Sequence, residues 1–307
     1  MVFAFATAMF RAFYVGTTQT KTLSLNAIVM VVSNIFFNWV LIFGHFGFPA
    51  LGITGAAIGS SLAELVSLIF FIVYTRVSCD RKKYGLDRPA RFQFAELKGM
   101  MPVCTWSMIQ HTVSVTTWFI FFLYIEHLGE RALAISNIAR GASGMIWVVL
   151  QSFSATCSTL VSNLIGEGGQ EKVMSLVGRI MKLSYGVVGI FILIFCLFPE
   201  GIARIYTDIP SLVTASAPAL MVMACSYLFN TGGQVFFLAV SGTGNTQTAF
   251  RLELIALAVY LVYCTTIIWW LRVDVAICWT AEFVYGGMLM LCSWLYLRSG
   301  RWKNRGI

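Results

Sequence analysis

Gly16-Thr17-Thr18-Gln19-Thr20 returns near the far end of the chain as Gly244-Asn245-Thr246-Gln247-Thr248, four residues of five the same at an offset of 228. A second echo, Ala63-Glu64 and Ala281-Glu282, lies within apolar segments at an offset of 218. Both pairs occupy equivalent places in the hydrophobic pattern. The chain therefore reads as two related lobes, an arrangement found in membrane proteins built from internal repeats.

Composition sets the class. Apolar residues make up 58% of the chain and charged residues 11%, against a charged share of roughly 25% in a soluble domain. Apolar runs recur at about 22–44, 53–75, 100–125, 132–164, 175–198, 212–240, 251–271 and 275–297, and each is long enough to cross a bilayer as helix. Residues 1–15 read as the tail of an earlier span. Barrel-type alternation is lacking, so the spans are helical. Met1 to Phe10 has neither a basic segment nor a small-residue cleavage site, so this stretch does not read as a secretory signal.

The net charge of +8 orients the chain rather than marking it for nucleic acid. Assigning turns alternately to two sides puts Arg11, Lys21, Arg76, Arg81, Lys82, Lys83, Arg88, Arg91, Lys98, Lys172, Arg179, Lys182, Arg251, Arg298, Arg301, Lys303 and Arg305 on one side. Arg131, Arg204 and Arg272 fall on the other, and Arg140 lies inside a span. Basic residues favour the cytoplasm, so the C-terminus is expected there, in a plasma (inner) membrane. Val77 to Lys98 forms one long polar connection, with an amphipathic stretch expected around Phe92 and Phe94. The expected division is a first lobe over residues 1–76, a linker over 77–99 and a second lobe over 100–307.

The repeat also serves as a ruler. The Gly-x-Thr-Gln-Thr element opens the fifth span of the second lobe but the first complete span of the first. If the lobes are true repeats, about 130 residues are expected before Met1; the alternative is an eight-span protein beginning there.

The motifs, in their order, resemble the multidrug and toxic compound extrusion (MATE) family. Phe10-Arg11-Ala12-Phe13 with the 16–20 element, Asn34, Asn38, Leu41-Ile42-Phe43-Gly44 and the run Gly47 to Ala57 look like the family's fifth helix and its glycine-rich turn into the sixth. Thr159 to Asn163 with Gly166-Glu167-Gly168 looks like the turn after helix eight, and Gly242 to Thr246 like the turn between helices ten and eleven. The resemblance covers the whole chain as the end of helix four through helix twelve. It implies an all-α polytopic membrane protein, a two-lobed bundle on a six-plus-six plan with the first lobe incomplete and about eight full transmembrane helices. It further implies a monomeric secondary antiporter that exports cationic, amphipathic small molecules in exchange for H⁺ or Na⁺, with no other cofactor. A lipid-linked oligosaccharide flippase of related two-lobed plan is the alternative; it would need cationic groups for pyrophosphate, and Arg140 alone qualifies.

Ionisable groups within a membrane are expensive and usually face a wet or protein-lined interior. Glu64 lies eleven residues into its span and Glu282 seven into its own. Each reads either as a carrier of a proton or cation, since a desolvated carboxyl holds its proton more tightly, or as a packing anchor. In the resembled family a C-lobe cation site uses carboxylates on helices seven and ten. Here Gln110, beside His111, takes the first position, and Phe229-Asn230-Thr231-Gly232-Gly233-Gln234 supplies no acid at the second. Gln110, Asn230 and Gln234 read as polar path residues or as interhelical hydrogen-bonding groups. Asn34 and Asn38, four apart, share a helix face expected to point into the lobe. Arg140 reads as a snorkelling cation or as a counter-ion for an acidic substrate.

Trp269, Trp270, Trp279, Trp294 and Trp302 fit interfacial belts. Met100, Met101, Met108, Met221 and Met223 read as packing or as an adaptable ligand wall, and Gly232-Gly233 and Gly286-Gly287 as close helix contacts. The eight cysteines are scattered singly, without the clustered spacing of a metal site. No phosphate loop, His-Glu-x-x-His helix or Gly-x-Ser-x-Gly elbow occurs. Catalytic residues are not expected, so the chain reads as no enzyme. Its partners are expected to be a small molecule and membrane lipid, with no nucleic acid.

Overall fold

The computed structural model describes residues 2–79, 84 and 94–303. Among the described residues every regular element is helical, and eight helices are long and apolar enough to cross a membrane. The chain divides into two compact units, Met1–Gln93 and Phe94–Ile307.

The first unit holds α1 (Val2–Gly16), α2 (Thr20–Phe43) and α3 (Ile53–Ser78). Gly44 ends α2 in the left-handed conformation (φ 76°), its N–H bonding the Val40 carbonyl. The short turn that follows makes α2 and α3 neighbours. They approach closely because Gly55 and Gly59 of α3 carry no side chain where α2 passes; a Cβ on Gly55 would strike the Leu41 carbonyl. Polar pairs tie the helices together. The Asn26 amide exchanges two hydrogen bonds with the Ser67 hydroxyl, at 2.9 and 3.0 Å. Tyr14 of α1 reaches Thr75 of α3 at 2.7 Å, with its ring stacked on Phe71.

The second unit is built around α8 (Pro210–Gly242), a helix buried on every side for much of its length. Around it pack α5 (Glu130–Gly166), α6 (Val173–Leu197), the short α7 (Pro199–Tyr206) and α11 (Ala281–Arg298), while α4 (Phe94–Glu126) lies against α9 (Thr246–Cys264). A 3₁₀ turn, Gln170–Lys172, precedes α6, and α9 continues as a π-helical stretch, Thr265–Trp270. The four-residue α10 (Val275–Cys278) leads into α11. Two apolar clusters fill the unit. One gathers Phe121, Ile146, Leu220 and Trp279, the other Val161, Val177, Val240 and Leu289. Along α8 the first cluster ends at Tyr227 and the second begins at Val235. The Asn230–Gln234 stretch falls between them and is buried.

Several expectations change. Helix α4 begins at Phe94 and α3 runs to Ser78, so both helices extend into the linker expected over 77–99, because neither end meets a breaker. Phe94 opens α4, while Phe92 and the basic residues Arg81, Lys82, Lys83, Arg88, Arg91 and Arg305 lie outside the described residues. Trp279 and Trp302 are buried rather than exposed at the span ends. Trp279 packs edge-on against Phe121, and Trp302 folds back to donate to the Leu297 carbonyl. Met223 is core rather than ligand wall. Gly287 meets only the edge of Phe229, so the close contact is carried by Gly232, Gly233 and Gly286.

Candidate functional site

Gly286 sets the geometry. A Cβ there would lie 2.7 Å from the Asn230 backbone nitrogen, and one on Gly233 would lie 2.8 Å from the Gly286 carbonyl. Because all three positions lack bulk, α8 and α11 cross with their backbones nearly touching. That crossing seats the polar stretch of α8 against the first turns of α11, where Glu282 and Tyr285 project. The two are three residues apart and share a face. On α9, Glu253 and Tyr260 are seven apart and likewise share a face.

The consequence is a crossed arrangement. Tyr285 of α11 donates to Oε1 of Glu253 on α9 at 3.3 Å, while Tyr260 of α9 stands beside the Glu282 carboxyl of α11. The two phenol rings meet edge to face, centroids 6.0 Å apart. Glu253 is 4% exposed; its Oε1 also accepts from Ser114 of α4 at 2.6 Å, and its Oε2 is buried without a hydrogen bond. Gln110 and His111 of α4 stand close by. Half-buried Glu282 is ringed by Asn230, Trp118 and Tyr260, and the Tyr285 hydroxyl has Gln234 beside it. Two carboxyls, two phenols and three amides thus meet inside an apolar bundle. Such a cluster can hold a cation, or pass a proton between oxygen atoms.

Four of the sequence candidates, Glu282, Gln110, Asn230 and Gln234, come together here. Four do not. Arg140 lies exposed on α5, its guanidinium 5.0 Å above the Phe122 ring. Glu64, Asn34 and Asn38 belong to the first unit. There Asn38 donates to Asn34 at 2.9 Å and Asn34 to Ser60 at 3.4 Å, while Glu64 is half-buried with Oε2 sealed and unpartnered. The repeat-related Ala63 and Ala281 are both fully buried, so the two glutamates leave their helices at matched positions.

Glu253 was missed in the sequence. Its signal is the one that identified Glu64 and Glu282, an acid within an apolar helix. Arg251, two residues earlier, made the segment read as a cytoplasmic end.

The MatE family model matches residues 107–266, more than half of the chain, including Ser114, Asn230, Gln234 and Glu253. The chain belongs to the MatE family. It is 26% identical over 98% of its length to the probable multidrug resistance protein NorM of Thermotoga maritima, and 24% identical over 78% to the multidrug resistance protein MdtK of Pectobacterium atrosepticum. It covers 64% and 53% of those relatives, so the chain spans about half to two thirds of their length. Among solved structures, the Vibrio cholerae MATE transporter VcmN superposes with a TM-score of 0.81 at 15% identity, over 99% of this chain and 69% of that one. An outward-facing multidrug resistance MATE transporter superposes at 0.80 and 15% identity, over 92% of this chain and 63% of that one. The fold is therefore the MATE fold, and this member of the MatE family is an integral membrane protein.

Proposed function

We propose that this MatE protein exports small organic compounds, cationic and amphipathic, in exchange for an inward H⁺ or Na⁺. The observation that carries this reading is the pair of carboxyls, Glu253 and Glu282, held in a helical interior around one phenol. A carboxylate so placed gains most from whichever cation reaches it, because few waters compete. Exchange follows when an inward ion and an outward organic cation contend for the same negative charge and so displace one another. Glu64, with its sealed oxygen in the first unit, is a second place for the ion. Asn34 and Asn38 flank the path there, and Gln110, Asn230 and Gln234 line it in the second unit. The protein works as a monomer in the inner membrane, with its C-terminus in the cytoplasm, and needs no cofactor beyond the coupling ion. A flippase reading gains nothing from Arg140, whose guanidinium is already stacked on Phe122.

The test is efflux of a fluorescent cationic dye from cells that produce the full-length protein. Export should collapse when the ion gradients are dissipated. Glu253→Gln and Glu282→Gln should each slow it roughly ten- to a hundredfold, the loss of one or two charge-assisted contacts, and Glu64→Gln should slow it measurably. Undiminished export by the two C-lobe variants, at normal expression, would return those glutamates to a packing role. Restored glycan assembly without dye export would replace the antiporter with the flippase.

A further inference from the structure

Ser114 has one hydroxyl hydrogen and two acceptors for it. The Gln110 carbonyl, one turn back on α4, lies at 2.9 Å, and Glu253 Oε1, across the gap to α9, lies at 2.6 Å. A hydroxyl gives its hydrogen to one partner and offers lone pairs to the rest. If Glu253 is ionised, the Ser114 hydrogen turns to the carboxylate, since a hydrogen bond to a charge is about twice as strong as one to a neutral group. If Glu253 carries a proton, its O–H donates to Ser114 Oγ, and the serine hydrogen returns to the Gln110 carbonyl, the usual back-bond of a helical serine. Both states leave the contact hydrogen-bonded, and no heavy atom needs to move between them.

We propose that Glu253 is the proton-carrying group of this protein, and that Ser114 is the positioning residue whose hydroxyl turns between the Gln110 carbonyl and Glu253 as that proton arrives and leaves. This rests on the ion-exchange reading above and narrows the ion to H⁺. The contact itself supports it: Oε1 already meets the Ser114 and Tyr285 hydroxyls, and a proton arriving there reverses the Ser114 hydrogen bond without displacing either oxygen. On release the Glu253 O–H bond breaks, the proton passes to a water molecule, and the carboxylate left behind takes the Ser114 hydrogen. On the α4 side of Glu253, His111 is exposed and Gln110 half-buried. The other titratable groups facing Glu253 are His111 on α4 and Tyr285 on α11, and Glu282 lies on the other side of Tyr285. From α8, Asn230 and Gln234 are uncharged, and Tyr227 stands nearer Glu282.

Infrared difference spectroscopy of the purified full-length protein, titrated with acid in the absence of any transported compound, reads this directly. A carbonyl band from a protonated carboxylic acid should grow in, disappear in Glu253→Gln, and persist in Glu282→Gln. Ser114→Ala should move the midpoint of that band by roughly one pH unit, the value of one charge-assisted hydrogen bond. Ser114→Thr should restore it. If Glu253→Gln does not fold, glutamate labelling of the wild type and of Ser114→Ala carries the same test. A band that survives Glu253→Gln, a midpoint unmoved by Ser114→Ala, or replacement of the band by sodium at constant pH would each overturn the proposal. Loss of dye export with the titration intact would remove the export reading and leave the proton site standing.

Discussion

Asn230 shows how small residues and polar ones cooperate here. Its backbone lies where a Cβ on Gly286 would come within 2.7 Å, and its side chain faces Glu282. The absence of a side chain at Gly286 is what allows an amide of α8 to reach a carboxyl of α11. A methyl at that position must push against backbone, which cannot yield as a flexible side chain does. Gly286→Ala should therefore destabilise by about 1–3 kcal/mol, as overpacking does, and slow dye export through the displaced Glu282. Gly186 on α6 has open space around it. Gly186→Ala should be neutral or slightly stabilising, by up to about 1 kcal/mol. Thermal unfolding of both variants in one detergent checks the contrast, and equal losses would refute it.

At the scale of elements, the α2–α3 hairpin and the α9–α11 pair solve one packing problem in two ways. Asn26 and Ser67 join the first pair by two hydrogen bonds, whereas Glu253 and Tyr285 join the second through an ionisable group. The duplicated element that opens α2 and α9 diverges in the same manner. Asn245 accepts from the Thr248 backbone and caps α9, while its counterpart Thr17 bonds back into α1. The first hairpin thus has a structural polar contact where the second has an ionisable one. A double-mutant cycle on Asn26→Ala and Ser67→Ala should give a coupling of about 0.6–1.7 kcal/mol, the range for hydrogen bonds between membrane helices. Dye export should be altered less than by Glu253→Gln. A coupling near zero would mean that small-residue packing alone holds the hairpin. The π-helical stretch Thr265–Trp270 at the far end of α9 is tied to α4 by the Tyr124–Thr265 hydroxyl contact and by stacking of His127 on Trp269. It keeps α4 and α9 in register below the site.

For the whole molecule, the charge asymmetry makes its own prediction. In a cysteine-free background, Ser299→Cys at the end of α11 should react with an impermeant thiol reagent only after the cells are opened. Asp208→Cys, in the turn between α7 and α8, should react in intact cells. The reverse pattern would invert the proposed topology.

The helices could be read from the sequence because a span must be apolar over about 20 residues whatever surrounds it. Glu282 could be singled out because an acid in such a run is costly wherever it points. Glu253 met the same criterion, but a nearby arginine concealed it. Its partners could not be read at all, since Ser114 lies 139 residues away along the chain and Tyr285 32. Trp279 and Trp302 went the same way, because nearness to a span end says nothing about which neighbour covers the ring. The sequence by itself determined the class, the span count and the duplicated plan, since the bilayer imposes these on each segment separately. Only the tertiary structure decided that two glutamates face each other's tyrosines and that one serine serves two acceptors, because a hydrogen bond forms only within about 3 Å and side chains of different helices come that close only when packed.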